Sequence, residues 1–295
     1  MQRDLKSQYC LLTNDVETTS IWFNSLRDET GLKVVKEGMP ILLDLYAKYD
    51  IKSTFFFTGY IAQKYPEIVK MILPYGHEIG SHGYSHKVEN AFDVLSFEKQ
   101  VTHLNMSKSI LEDISGKSII SFRAPALRVN NFTPLALVKT GFIIDSSVPS
   151  QRFDMFLSHG SIKKIKWIFA PRKPYYTKLD NLCKKGDSTI IEVPLSATFF
   201  PYVGTTMRMF PLLTKIQRNI IHKESLYTQK PIVFDIHPNE FIDESNIKRI
   251  IGRRSNNYIS YLLADLIRSK LKIKNLGPKA IILYEDEILF YLKRN

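Results

Sequence analysis

The 295-residue sequence has only two cysteines, Cys10 and Cys183, and they form no Cys-x-x-Cys pair. A disulfide framework and a cysteine-ligated zinc site are therefore excluded. No apolar run approaches the roughly 20 residues that span a bilayer. An acidic cluster follows the N-terminus before any apolar signal region. We therefore expect no secretory signal and a cytoplasmic location, with peripheral contact at the inner face of the membrane left open.

Acidic residues are also scarce, since 29 Asp and Glu face 41 Lys and Arg and the net charge is +12. Such a surplus attracts phosphate, whether in nucleic acid, anionic lipid or a diphosphate-linked sugar. The 44% hydrophobic and 24% charged residues are typical of a globular enzyme. Disordered and collagen-like classes are therefore excluded.

Short apolar runs alternate with stretches of helical spacing over most of the chain. The predicted strands are residues 9–13, 53–57, 78–81, 119–122, 142–144, 189–193, 232–236 and 280–283. The predicted helices include residues 39–49, 68–73, 96–114, 134–140 and 258–270. This alternation is typical of parallel strands joined by crossover helices. Residues 147–188 break it with lysines, arginines and aromatics, which predicts a long insertion.

Polar residues stand at or just after the ends of five predicted strands: Asp15, His82, Arg123, Asp145 and His237. A β/α barrel places its active site at the carboxyl ends of many strands. An open parallel sheet would concentrate such residues near one switch point. The five separate strand ends therefore favour a barrel.

Two histidines, His82 and His86, follow the predicted strand 78–81 in the sequence GHEIGSHGYSH. A spacing of four on a helical turn aims both imidazoles at one point, and the small Gly83 and Ser85 leave room for an ion. Surface histidines without a ligand are the alternative. A zinc-protease His-Glu-x-x-His site is disfavoured because Gly83 stands where its glutamate would be.

A catalytic metal site usually takes a third protein ligand. Asp15 and Glu17 follow the first strand two residues apart, so both side chains can point the same way. One carboxylate would then face the metal and the other would face water. The alternative is that the two acids only begin a loop.

Arg123, His237 and Asp145 are further candidates. Arg123 precedes Pro125 and can hold a carboxylate with its planar guanidinium. His237 ends an apolar strand, and Asp235 on the same strand face would either orient its imidazole or pair with a cation. Asp145 is an additional acid at a strand end.

Taken in order, these segments resemble the polysaccharide deacetylase family, also called the NodB homology domain or carbohydrate esterase family 4. The acidic pair, His82–His86 and Arg123–Pro125 are similar to three of its motifs. The sequence His-Pro-Asn-Glu at 237–240 and residues 191–208 resemble a cytosolic subgroup from exopolysaccharide gene clusters. The resemblance covers roughly residues 8–242 of an expected single domain, 1–295, and leaves a basic C-terminal extension, 243–295.

The resemblance implies a distorted (β/α)7 barrel of the NodB type and one divalent metal, usually zinc, with no organic cofactor. The metal ligands would be Glu17, His82 and His86. The catalytic residues would be Asp15 as general base, His237 as general acid, Arg123 beside Asp15, and Asp145. The backbone N–H of Ala126 would contribute to an oxyanion hole, and Arg208 would bind substrate. Because Glu17 replaces the usual aspartate, the choice between Asp15 and Glu17 as ligand stays open.

The implied reaction is metal-dependent hydrolysis of the N-acetyl group of an amino sugar in a glycan or glycan precursor, releasing acetate. The substrate could be linked to a nucleotide or to polyprenyl diphosphate, and no nucleic-acid partner is expected. A deformylase of a lipid-linked amino sugar and a metal-free amidohydrolase of cyclic ureides or imides are the alternatives. A non-catalytic basic binding module would lack a catalytic residue, and none is missing.

Overall fold

The computed structural model describes residues 8–17, 28–152, 162–242 and 277–293. The strands in these ranges are β1 (Cys10–Val16), β2 (Thr54–Phe57), β3 (Glu78–Ser81), β4 (Ser121–Phe122), β5 (Ile144–Asp145), β6 (Tyr175–Lys178), β7 (Asn181–Lys185), β8 (Ile191–Glu192) and β9 (Ile232–Ile236). They form one nine-stranded sheet in the order β7-β6-β8-β5-β4-β3-β2-β1-β9.

Seven strands of this sheet are parallel, from β8 through β5, β4, β3, β2 and β1 to β9. The two ends of this parallel part meet. The backbone N–H of Ser196, just after β8, donates to the carbonyl of Val233 in β9 at 3.1 Å, and Val203 forms a parallel bridge with Asp235. The sheet is thus curled into a distorted α/β barrel, and the predicted fold class is confirmed.

The helices of the described residues surround this sheet. They are α1 (Asp28–Lys33), α2 (Met39–Lys48), α3 (Gly59–Lys64), α4 (Glu67–Lys70), α5 (Phe97–Ser115), α6 (Thr133–Lys139), α7 (Gly204–Met209), α8 (Pro211–Thr228) and α9 (Gly277–Leu292), with a π-helical turn at Val34–Gly38. Local signals fix several ends. The Ser96 side chain accepts from the N–H of Lys99 at the start of α5, and Gly116 ends that helix with φ of 67°.

Both faces of the parallel strands are buried, as β2 illustrates. Phe55 and Phe57 pack outward, where Phe55 meets the Tyr46 ring of α2 edge-on at 6.1 Å. Phe56 points the other way, with its ring 4.4 Å from the Arg123 guanidinium. This explains why β2 is continuously apolar instead of alternating.

One predicted strand, residues 280–283, is wrong because it lies inside α9. Its β-branched residues suggested a strand, but the buried positions Ala280, Tyr284, Ile288 and Tyr291 recur at helical spacing. Tyr284 stacks on Phe234 of β9 with ring centroids 5.6 Å apart. The C-terminal segment thus contributes a helix to the core.

The predicted insertion at 147–188 contains a hairpin of the sheet itself. Strands β6 and β7 pair antiparallel, and β6 also pairs antiparallel with β8. The basic residues 248–274 and the predicted helix 258–270 lie outside the described residues. Among the helices that are described, none has the length and apolar character needed to cross a membrane.

Candidate metal centre and active site

Three candidate ligands converge at the carboxyl ends of β1 and β3. Glu17 follows β1, and its Oε2 contacts Nε2 of His86 and lies 3.6 Å from Nε2 of His82. The two imidazole Nε2 atoms are 3.0 Å apart. One ligand atom from each residue lies within 4.8 Å of the others. The structure therefore brings together the three residues that the sequence predicted as ligands.

The histidines reach this point from a loop, not from the helical turn expected from their spacing. The loop turns at Gly83, whose φ is 64°. A Cβ there would lie 3.0 Å from Cε2 of Phe92 and 3.2 Å from Cγ of Pro125. Glycine thus allows both the left-handed turn and the close approach of the Pro125 loop.

A backbone contact sets the protonation of His82. Its Nδ1 lies 2.8 Å from the carbonyl oxygen of Arg123, and a carbonyl can only accept a hydrogen bond. Nδ1 must therefore carry the proton, which leaves a lone pair on Nε2 in the neutral ring. This is the arrangement found in most metal-binding histidines.

The donor set fits a divalent cation. Oε2 of Glu17 is buried with no hydrogen-bond partner among the described residues. Burial opposes the ionised form, but the neighbouring His86 and His82 hold the pKa of Glu17 well below its usual range. Two imidazole nitrogens and one carboxylate oxygen are a ligand set typical of zinc.

Arg123 occupies the centre of a second cluster beside these ligands. It is fully buried, and its Nη1 donates to Oδ1 of Asp15 at 3.0 Å and to Oδ1 of Asp235 at 2.7 Å. Its Nε and Nη2 donate to the carbonyl and hydroxyl of Ser146. Asp235 thus pairs with a cation, which was one of its two predicted roles.

The two carboxylates on Arg123 differ in ionisation. Burial and the nearby charge of Asp15 raise the pKa of Asp235 to about 7. Burial also acts on Asp15, but the charges of His82 and Arg123 outweigh it and lower its pKa. Oδ2 of Asp15 lies 3.5 Å from Nε2 of His82. Asp15 is therefore an ionised carboxylate at the edge of the ligand triad.

His237 closes the other side of the site. Its Nδ1 lies 3.1 Å from Oε1 of Glu240, and its Nε2 lies 3.9 Å from Oε1 of Glu17. Burial would lower its pKa, but the hydrogen bond to Glu240 and nearby acids raise it to about 10. The imidazole is thus held protonated, with Nε2 directed towards the metal ligands.

Glu240 and Arg208 form a buried pair behind this histidine. Nε of Arg208 lies 2.7 Å from Oε2 of Glu240, so Arg208, predicted to bind substrate, is placed against Glu240. A Cβ on Gly204 would come within 2.5 Å of Oε2 of Glu240. The role of Glu240 was missed, although its position three residues after His237, in the 3-10 turn Pro238–Phe241, was a usable signal.

Residues 18–143 match the family described as polysaccharide deacetylase. Over this stretch, which contains His82, His86 and Arg123, the chain is similar to that family. Its ligand triad, Arg123 and His237 are the residues on which the resemblance was based.

One curated relative is a peptidoglycan deacetylase of Helicobacter pylori, 32% identical over 146 residues, or 47% of this chain and 49% of the relative. The matched stretch spans about half the length of that protein. A solved Mycobacterium smegmatis structure described as a polysaccharide deacetylase gives a TM-score of 0.54 at 18% identity, covering 96% of this chain and 93% of that one.

A structure of PuuE allantoinase gives a TM-score of 0.51 at 16% identity and covers 88% of this chain and 82% of that one. Identities this low show a common fold only. Because the barrel is shared between enzymes with different names, the choice of reaction depends on the residues of the site.

Asp145, another predicted site residue, lies apart from both clusters. Asp145 on β5 faces Glu192 on β8, and the Ser147 hydroxyl donates to Asp145 at 2.6 Å. Burial raises the pKa of both Asp145 and Glu192. The structure does not place Asp145 among the ligands.

Ala126 lies in the exposed loop after Arg123 and has φ of 53°. Leu127 is also left-handed, with φ of 55°. Non-glycine residues adopt this region at a cost, and such conformations are common where a backbone group is aimed at a ligand. The loop packs against the Gly83 turn through Pro125, which puts it beside the ligand triad.

Proposed function

We propose that this protein is a metal-dependent deacetylase that hydrolyses the N-acetyl group of an amino sugar in a glycan or glycan precursor. The observation that carries the proposal is the convergence of Glu17, His82 and His86 beside an ionised Asp15 and a protonated His237. The name of the Helicobacter pylori relative supports a glycan substrate. We propose zinc as the metal because the ligand set is two nitrogens and one oxygen.

Amide hydrolysis requires a proton acceptor for the attacking water. Asp15 suits this role because Arg123 holds one of its oxygens at 3.0 Å while the other faces His82. When bound, a divalent ion supplies Lewis acidity to the carbonyl oxygen and lowers the pKa of water. Asp15 takes the proton that water loses as its oxygen bonds to the acetyl carbon.

The second half of the reaction requires a proton donor. The carbon–nitrogen bond breaks only when the amine leaves as a neutral group, so the nitrogen must gain a proton. His237 suits this role because Glu240 fixes Nδ1 and leaves Nε2 facing the ligands. The products are acetate and the free amino sugar, with the elements of water divided between them.

We further propose that the substrate is a cytoplasmic precursor linked to a nucleotide or to polyprenyl diphosphate, as expected for an exopolysaccharide-cluster subgroup. The net charge of +12 supports a phosphate-bearing carrier. The same residues would act on an N-formyl group by the same proton transfers, so the acyl group has to be measured.

The decisive experiment combines metal content with product release. Purified protein is analysed for divalent metal, and acetate and amine release are measured on chitooligosaccharide, peptidoglycan and UDP-N-acetylglucosamine, with N-formyl analogues in parallel. We expect one zinc per chain in the wild type, and loss of both metal and activity in His82→Ala. His103→Ala on α5, outside the site, is the matched control and should keep both.

A wild type that holds no stoichiometric metal and stays fully active on a cyclic ureide after chelation would replace this proposal with the metal-free amidohydrolase. Faster release of formate than of acetate would retain the site chemistry and make the protein a deformylase.

A further inference from the structure

Helix α8 has an inverted distribution of side chains. The positions facing the barrel are mostly polar: Thr214, Gln217, Arg218, Ile221 and Ser225. The exposed positions are mostly apolar: Leu212, Leu213, Ile216, Ile220, Leu226 and Tyr227. The polar positions contact other described residues, whereas the apolar positions are exposed to water. Contiguous exposed apolar stripes are rare on the surfaces of soluble proteins.

The inward polar groups have partners within the fold. Nε2 of Gln217 donates to the carbonyl of Phe200 at 2.6 Å, and Nη1 of Arg218 lies 3.1 Å from Oε1 of Glu287 on α9. The Ser225 hydroxyl donates to the carbonyl of Lys230 at 2.6 Å. The orientation of α8 is therefore fixed by specific contacts, and its apolar face points outward as a result.

The apolar side chains form one stripe, which we call the outer face of α8. Leu212, Ile216, Ile220 and Tyr227 follow one another at helical spacing. Leu212 is 78% exposed and Tyr227 is 88% exposed. The stripe runs from Leu212 to Tyr227 within this 18-residue helix, a length of about 22 Å.

The charges on the outer face are positive. The exposed Lys223 lies within the stripe by helical spacing, and the one acidic residue of the helix, Glu224, lies at its edge, where it pairs with Arg172 and Lys230. Lys215 lies at the edge, where it pairs with Asp286 of α9 at 3.2 Å. Together with the net charge of +12, this distribution complements an anionic surface.

We infer that the outer face of α8 binds the surface of an anionic membrane. A helix with an apolar face interrupted by lysine can lie in the headgroup region, with its leucines and isoleucines buried and Lys223 reaching a lipid phosphate. A second copy of this chain fits less well, because a symmetric contact along the stripe would bury Lys223 of both copies against apolar side chains.

The inference is independent of the deacetylase chemistry, but it would place the site close to a membrane. Helix α8 follows directly after α7, and α7 carries the Arg208 that pairs with Glu240 behind His237. A membrane-bound α8 would therefore keep the site near the lipid surface.

The test is co-sedimentation of the full chain with vesicles. One set contains phosphatidylcholine alone, and the other contains phosphatidylcholine with phosphatidylglycerol in about equal amounts. We expect binding to the anionic vesicles only. The triple variant Leu212→Ser, Ile216→Ser, Ile220→Ser should bind at least about tenfold more weakly, and Lys223→Gln about fivefold more weakly.

The matched control replaces three equally apolar, exposed residues elsewhere: Leu135→Ser, Ile143→Ser, Leu179→Ser. It should bind like the wild type, and all variants should keep activity on a soluble substrate. Wild-type protein that stays in the supernatant with both vesicle sets would overturn the inference. It would also be overturned if light scattering showed a dimer that the α8 triple variant dissociates, since the outer face would then be a self-association surface.

Discussion

Two pairs of buried carboxyl groups lie on neighbouring strands of the barrel, and the two pairs differ in how burial of their charge is compensated. Asp15 and Asp235, on β1 and β9, share the Nη1 of Arg123. Asp145 and Glu192, on β5 and β8, pair with no arginine among the described residues, and burial raises the pKa of both. A buried cation thus keeps a negative charge in the first pair, whereas the second is made less charged by a proton. Only the first pair lies beside the ligand triad.

The largest difference between the pairs should be in catalysis. Asp15→Asn removes the proton acceptor, so we expect kcat/KM for acetate release to fall about a thousandfold. Glu192→Gln keeps the shape of a group that is already protonated and should change kcat/KM by less than about threefold. If kcat/KM fell equally in the two variants while zinc content stayed unchanged, the two carboxyl pairs would not differ in their catalytic role.

The second largest effect should be on stability, and it concerns the carboxyl pair that Arg123 bridges. Arg123→Gln leaves Asp15 and Asp235 without a buried cation, so the free energy of unfolding should fall by about 3–5 kcal/mol. The control is Arg128→Gln, which removes a partly exposed ion pair with Asp93 at 2.7 Å and should cost less than about 1 kcal/mol. Urea denaturation measures both. Similar values for the two variants would contradict a structural role for the buried bridge.

Glu240 is a further buried acid, and it resembles the first pair because an arginine, Arg208, pairs with it. Glu240→Gln removes the negative charge beside His237, and we expect kcat to fall about tenfold with KM unchanged. Glu224→Gln, in an ion pair with Arg172 away from the site, is the control and should leave kcat unchanged. An effect on KM alone would instead indicate that Arg208 and Glu240 contact substrate.

The smallest effect should be a pH dependence of the free energy of unfolding that arises from Asp145 and Glu192. Glu192 keeps its proton in the folded chain above the ordinary glutamate pKa of about 4.5. Folding therefore takes up a proton there, and the free energy of unfolding should fall as pH rises, by up to about 1.4 kcal/mol per unit. In Glu192→Gln this fall should be reduced. Urea denaturation at several pH values measures the slope, and equal slopes in wild type and variant would refute the raised pKa of Glu192.

Much of the barrel was predictable because apolar runs and strand ends are local signals. The strands 78–81 and 232–236 agree with β3 and β9 residue for residue. The parallel order then follows from crossover connections, and it brings strand-end residues such as Asp15 and His82 to one rim.

The remaining features depend on contacts between distant segments. Glu192 meets Asp145 only through the pairing of β8 with β5, and Arg208 reaches Glu240 from α7. Neither pair has a spacing that a sequence pattern could reveal. Helix α9 was missed for another reason, since its β-branched residues favour a strand locally while packing against the barrel selects the helix.

The place where the sheet closes determines which opening motions of the barrel would leave the site intact. Closure depends on a few hydrogen bonds between the segment after β8 and β9, whereas the strands bearing Asp15, His82, Arg123 and His237 lie in an unbroken run from β4 to β9. The barrel is thus a ring with one weak seam, and that seam borders β9, the strand that ends just before His237. Opening at that seam would leave the pairing of β4, β3, β2, β1 and β9 intact, but it would act on the contact between Arg208 and Glu240 behind His237.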